Sequence, residues 1–242
     1  MRMLARLLLA FAAFAAAPVQ AGQSGRVVIV EEWVEEDGAA RLVSGPLALA
    51  ERAAIAAYGP FRVLDAHRAA LVGQTDSASP ARFSAMLRDF PALDTLELVE
   101  CPGTLDDAAN LRLGRMIRAA GLATSVPDGG SVRSGGVELF LAGSRREAAD
   151  GAEFAVHAWE DEDGVQAGDY AADAPENARY LAYYREMGMS AAQARAFYAM
   201  TNSAPFESAL WLTGAEMRRW VDAARPGEET RLAYLDLDGL LN

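Results

Sequence analysis

The stretch Ser131-Val-Arg-Ser-Gly-Gly-Val-Glu-Leu-Phe-Leu-Ala-Gly-Ser-Arg-Arg146 constrains the fold of this chain more than any other. It passes from polar, glycine-flanked residues straight into an apolar run ending at Ala142-Gly143, a pattern that predicts an elbow followed by a helix. Ser134 stands at the bend, and Gly135 and Gly136 remove the side chains that would keep a carbonyl carbon from its hydroxyl. The N–H of Gly135, free at a helix start, points where negative charge would develop if Ser134 attacked an acyl group. Ser-Gly-Gly is also ordinary turn chemistry, and on the local sequence alone a structural serine is the favoured reading.

The neighbouring segments add order. Upstream lie Leu96-Glu-Leu-Val-Glu-Cys-Pro-Gly-Thr-Leu-Asp106, a helical segment through Ile117 and a short strand Leu122-Ala-Thr-Ser-Val126. Downstream come Ala142-Gly143, Arg146 and the strand Phe154-Ala-Val-His157. From about Leu71 to Asp222 this order resembles the Clp protease and crotonase superfamily, and most closely the exported Clp-protease-like proteins of bacteria. The resemblance implies an α/β superhelix of repeated ββα units with a C-terminal helical segment. It also implies roles: Ser134 as nucleophile, His157 as the base that takes its proton, and the amides of Gly103 and Gly135 as an oxyanion hole. Thr104 departs from the pattern, because relatives carry a second glycine there. The strand-end His157 also has a plainer reading, as a ring packed on Trp159.

The third member of a triad is the weakest match. Thr213-Gly-Ala-Glu216 is a capping box opening a last helix through Ala224, and it resembles a helix start just downstream of the family's triad aspartate. Here Phe206-Glu-Ser-Ala-Leu-Trp211 holds no aspartate, and Glu207 is the nearest acid. Glu207 is therefore the candidate orienting acid. Cys101 offers a second nucleophile, but it stands where relatives carry a turn residue, and free cysteines are more often buried than reactive.

The N-terminus supplies an address. Arg2 and Arg6 precede the run from Leu7 to Ala17, and Val19-Gln-Ala21 places short residues before a cut, so residues 1–21 are expected to be a signal peptide and Gly22 the first residue of a periplasmic or secreted protein. The apolar run is shorter than the about 20 residues a membrane-spanning helix needs. Residues 22–242 then read as one Clp-protease-like domain, with 22–70 an N-terminal extension, 71–222 the family core and 223–242 a tail.

Beyond the leader the chain has 34 acidic residues and no lysine, with arginine as its only strongly basic residue. A chain this acidic has no basic patch to release counterions from phosphates, which argues against nucleic acid as a partner. One cysteine allows no internal disulfide, and relatives' cysteine pair is replaced by Val132 and Gly136. No cofactor is expected. His67 has no ligand cluster around it, and Glu160 to Gly164 lacks the spaced carboxylates of a calcium loop.

Other segments read as scaffold. Arg26 to Val34, Phe61 to Leu64, Ala70 to Gly73, Thr95 to Val99 and Arg231 to Leu237 predict strands; Pro46 to Tyr58, Pro80 to Phe90, Asp106 to Ala120, Glu176 to Met187 and Ala191 to Met200 predict helices. The stripe Tyr180, Tyr183, Tyr184 reads as core, groove wall or subunit contact, and with the tail it suggests a homo-oligomer. The expected function is a serine hydrolase acting on a peptide or other acyl substrate. A binding module that kept the fold and lost the acid is the alternative.

Overall fold

The computed structural model describes residues 33–34, 41–42, 45–161 and 163–222. The signal peptide and the strand expected in the tail lie outside the described residues, as does most of the strand expected from Arg26 to Val34, of which β1 (Trp33–Val34) is described, paired with β2 (Arg41–Leu42).

Three consecutive strand pairs build the architecture. The first strand of each, β6 (Thr95–Leu98), β8 (Ala123–Val126) and β10 (Arg146–Ala148), joins a sheet with β3 (Ala56–Tyr58), β4 (Phe61–Val63) and β5 (Arg68–Leu71) in the order β10-β8-β6-β5-β4-β3. The second, β7 (Glu100–Cys101), β9 (Ser131–Arg133) and β11 (Glu153–Val156), joins another with β12 (Leu210–Thr213) in the order β12-β11-β9-β7. Each pair thus adds one parallel strand to each sheet, and a helix returns the chain to start the next: α3 (Asp107–Ala119) after the first pair, α4 (Gly136–Leu141) after the second. Parallel neighbours need such crossovers. The repeated ββα unit expected from the resemblance is therefore present, and the fold is α/β, with two large sheets, the small β1-β2 sheet and seven α-helices among the described residues.

The apolar pattern explains the layers. Leu96 and Leu98 point to one side of β6 and are fully buried, while Phe83 and Met86 of α2 (Ser79–Asp89) and Leu113 and Ile117 of α3 cover the sheet. Helix α4 is buried along all six residues, as a helix apolar almost all round must be. Its Phe140 meets Phe154 of β11 at a centroid distance of 5.0 Å. Each fully buried side chain of this size contributes about 1.5–3 kcal/mol, so α4 is anchored well beyond what six residues of helix propensity would hold. Arginines close its far end. Arg146 donates to the Leu141 carbonyl at 2.8 Å and Arg118 to that of Gly143 at 2.7 Å, placing positive charge on the carbonyl end of the helix.

Three elements differ from the sequence reading. The helix expected from Pro46 to Tyr58 stops early: α1 is Gly45–Ala53, and β3 (Ala56–Tyr58) turns back through Gly59, at φ 61°, to pair with β4 (Phe61–Val63). Alanine's helix propensity yields there to a hairpin that covers the sheet's edge. The strand expected at Ala70 to Gly73 begins two residues earlier, as β5 (Arg68–Leu71). Residues Leu210–Thr213, to which the sequence reading assigned no element, form β12, antiparallel to β11, before α7 (Gly214–Asp222). The Thr213 and Glu216 capping box forms as expected. Helices α5 (Pro175–Glu186) and α6 (Ala191–Thr201) stand close to their expected bounds, with Ser190 capping the second.

Candidate active site

Strand β9 delivers Ser134 to the start of α4, and the backbone there is unusual. Ser134 has φ 47°, and it is the one non-glycine residue with positive φ among those described. Its N–H donates to the Ala155 carbonyl at 2.9 Å, extending the β9 and β11 ladder, and its carbonyl accepts from the Val137 N–H at 2.9 Å. A trans peptide sets C=O and N–H on opposite sides, so engaging the Ser134 carbonyl in the helix turns the Gly135 N–H away from it. That N–H has no acceptor among the described residues.

Gly103 faces Ser134 from the loop after β7. It has φ 138°, a conformation suited to glycine, and a β-carbon on it would stand 3.1 Å from Ser134 Cβ and 3.5 Å from the hydroxyl. Its N–H too is without an acceptor among the described residues. Two unpaired backbone donors therefore flank one serine. Thr104, the departure from the family pattern, packs its methyl where a β-carbon on Gly135 would come within 2.7 Å, and its hydroxyl accepts from the Asp106 N–H at 3.2 Å. Its side chain closes the loop leading to the Asp106 cap of α3.

His157 follows the last residue of β11 and lines the same cleft as Ser134 and Gly135. Its Nδ1 lies 2.8 Å from the Ala158 carbonyl. A carbonyl only accepts, so Nδ1 carries the proton and Nε2 carries the lone pair. The ring edge packs on Phe206 at 5.1 Å, so the plainer reading of a packed ring holds in part, with Phe206 as the partner.

Glu207 makes no hydrogen bond to this ring. It is exposed, with no hydrogen bond or ion pair among the described residues, and the Ala158 carbonyl occupies the nitrogen that an orienting acid would take. Cys101 is fully buried behind the loop, its Sγ 3.7 Å from the Leu71 carbonyl. Burial pushes its thiol well above the usual range, with the charge of Glu100 adding to the effect and Arg133 opposing it. His67 stands apart, beside Asp94. The acidic turn folds on itself, Asp161 accepting from the N–H groups of Asp163 and Val165, and the described residues hold no cluster fit for a metal.

The other wall of the cleft is aromatic and acidic. Trp159 stacks on Tyr180, and Tyr180 on Tyr198, with centroids 6.1 and 5.9 Å apart. Tyr180 donates to Asp107 at 2.6 Å, and Tyr184 to Glu138 at 2.7 Å. Of the tyrosine stripe, Tyr180 and Tyr184 line the cleft and Tyr183 is wholly buried. The sequence reading missed Glu138, hidden inside an apolar run, and Asn110, whose amide donates to the Gly135 carbonyl at 2.7 Å. A polar residue on the buried side of an amphipathic helix was the signal for Asn110.

No protein-family model and no curated protein matches the chain. Solved structures similar to it include a 1510-N membrane-bound stomatin-specific protease mutant, at 17% identity over 64% of this chain and 74% of that one, TM-score 0.43. A ClpP1 mutant from Listeria monocytogenes is similar at 17% identity over 64% of this chain and 88% of that one, TM-score 0.45. The 1510-N membrane protease specific for a stomatin homolog from Pyrococcus horikoshii is similar at 16% identity over 62% and 67%, TM-score 0.41. The α/β assignment of this chain rests on its own strand order.

Proposed function

We propose that the chain is an exported serine hydrolase of the Clp-protease-like type, acting on a peptide or other acyl substrate. The observation that carries this reading is the backbone of Ser134. A side-chain-bearing residue at positive φ costs about 1–3 kcal/mol, and glycine at that position would avoid most of it. A serine held there between two unpaired amides is accounted for by its hydroxyl.

In the proposed reaction Ser134 Oγ bonds to the substrate carbonyl carbon while its proton passes to His157 Nε2. The carbonyl oxygen takes the negative charge between the Gly103 and Gly135 N–H groups. Collapse breaks the bond to the leaving group, which departs with the proton from His157, and water attacks the acyl-serine by the same route in reverse. A fluorophosphonate probe tests this without knowledge of the substrate. Labelling is expected at Ser134, abolished by Ser134→Ala and slowed by orders of magnitude by His157→Ala.

A second reading, a binding module without turnover, draws on Glu207 making no hydrogen bond to the ring. Folded protein that no fluorophosphonate labels would select it. Export predicts a soluble envelope protein starting at Gly22, checked by N-terminal sequencing. The homo-oligomer also stays a proposal. The tyrosines that suggested it are buried within the chain, the tail lies outside the described residues, and exposed apolar residues such as Leu105 and Trp211 support it; light scattering decides.

A further inference from the structure

The direction of an N–H in a glycine loop is only as fixed as the carbonyls around it, because glycine brings no side chain to hold its own dihedrals. Here the Gly135 carbonyl is held by the buried side chains of two residues in series, and the backbone of one of them holds the Gly103 carbonyl. The Gly103 carbonyl accepts the Thr75 N–H at 3.1 Å and lies 3.4 Å from the Thr75 hydroxyl. That hydroxyl donates to Asn110 Oδ1 at 2.9 Å, and Asn110 Nδ2 donates to the Gly135 carbonyl at 2.7 Å. Thr75 and Asn110 are 1% and 2% exposed. Thr75 comes from the turn after β5 and Asn110 from the first turn of α3, so three separate segments meet in one relay.

Every hydrogen in the relay has one direction. The Thr75 hydroxyl donates its single hydrogen to Asn110 Oδ1, which turns the Asn110 amide so that Nδ2 donates to the Gly135 carbonyl, while the Gly103 carbonyl is held by the Thr75 backbone N–H. The Gly135 carbonyl lies in the peptide plane after Gly135 and its N–H in the plane before, where the Ser134 carbonyl accepts from Val137, so both planes flanking Gly135 are tied. We infer that Asn110, oriented by the Thr75 hydroxyl, is a positioning residue that fixes the dihedrals of Gly135 and so aims its N–H at the oxyanion it shares with the Gly103 N–H. Neither side chain is needed for proton transfer. The inference rests on the proposed hydrolase reading of Ser134.

The test compares two modifications of the same purified protein. Phosphonylation of Ser134 forms an Oγ–P bond, breaks P–F and develops charge on the phosphoryl oxygen, so it requires the amides. Carbethoxylation of His157 by diethyl pyrocarbonate, followed on its own peptide by mass spectrometry, does not. Thr75→Val and Asn110→Leu are expected to slow phosphonylation about 10- to 100-fold, the cost of losing one well-aimed oxyanion donor being of order 10²-fold or more. Carbethoxylation of His157 should stay within about twofold, and Thr75→Ser should restore phosphonylation. Should Asn110→Leu fail to fold, Asn110→Ala removes the same donor to Gly135 in a smaller side chain. Unchanged phosphonylation in folded variants, or equal slowing of both reactions, overturns the relay while leaving the hydrolase reading intact. Wild type that no fluorophosphonate labels overturns both.

Discussion

The phenol of Tyr184 donates to Glu138 Oε1 at 2.7 Å inside a helix whose other residues are apolar or glycine. Burial raises the Glu138 carboxyl to about 7, the Tyr184 hydrogen bond opposes the rise, and the nearby charge of Asp107 adds to it. In the unfolded chain the same group titrates near 4.5. Between those values the native state holds the proton and the unfolded state does not, so stability falls as pH rises through this window. The contribution is present in full below about 4.5 and lost above about 7, a change of roughly 3 kcal/mol at ~1.4 kcal/mol per unit. Glu138→Gln keeps an acceptor for Tyr184 and has no proton to lose. Urea midpoints at pH 5 and pH 8 should therefore differ clearly for wild type and much less for the variant; equal pH losses in both would remove Glu138 as the cause.

Cys101 packs under α4, where a β-carbon on Gly136 would come within 3.0 Å of its own. A thiol this buried, with its proton held by desolvation, is a poor nucleophile. Iodoacetamide at pH 8 is expected to leave Cys101 unmodified in native protein and to modify it fully in urea. Fluorophosphonate labelling should survive Cys101→Ala. Loss of labelling in that variant, folded, would move the nucleophile from Ser134 to Cys101.

The Ala142-Gly143 pair is a steric requirement. A β-carbon on Gly143 would stand 2.2 Å from the Thr124 hydroxyl, 2.6 Å from the Arg145 carbonyl and 2.8 Å from the Thr124 backbone nitrogen. Two of these atoms are backbone and belong to the junction of β8 and β10, so they have little room to yield. Gly143→Ala should cost at least the upper end of the ~1–3 kcal/mol typical of overpacking, while Gly168→Ala, which meets nothing within 4 Å, should be near neutral. Thermal midpoints of the two variants decide, and similar values would refute the steric account.

How far the sequence carries can be judged from single residues. Helix α3 was legible because Asp106 caps it and its apolar residues recur at helical spacing. The elbow was legible because glycines follow Ser134 and an apolar run follows them. β12 was not, since Leu210 to Thr213 is an edge strand with half its residues exposed, and its pairing with β11 is a long-range fact. The relay from Thr75 to Gly135 was hidden for the same reason: 35 residues separate Thr75 from Asn110 and 25 separate Asn110 from Gly135. Local pattern reports which face a residue lies on, and only the crossovers decide which faces meet.

The last prediction concerns the group that orients His157. In a serine triad the buried acid accepts a hydrogen bond from Nδ1–H, fixes the tautomer and balances the imidazolium, and its loss costs up to about 10⁴-fold. Here the Ala158 carbonyl accepts that hydrogen bond at 2.8 Å, and Phe206 holds the ring edge-on at 5.1 Å. Tautomer and orientation are thereby set without a carboxylate, but a neutral carbonyl stabilises the imidazolium less than an anion would. Glu207→Gln is accordingly expected to leave the labelling rate of Ser134 within about twofold of wild type. Phe206→Ala should slow it more, because the ring loses its packing while its hydrogen bond to the carbonyl remains. A drop of 100-fold or more in Glu207→Gln, with unchanged thermal stability, would mean that Glu207 reaches the ring during reaction and would restore it as the third member of a triad.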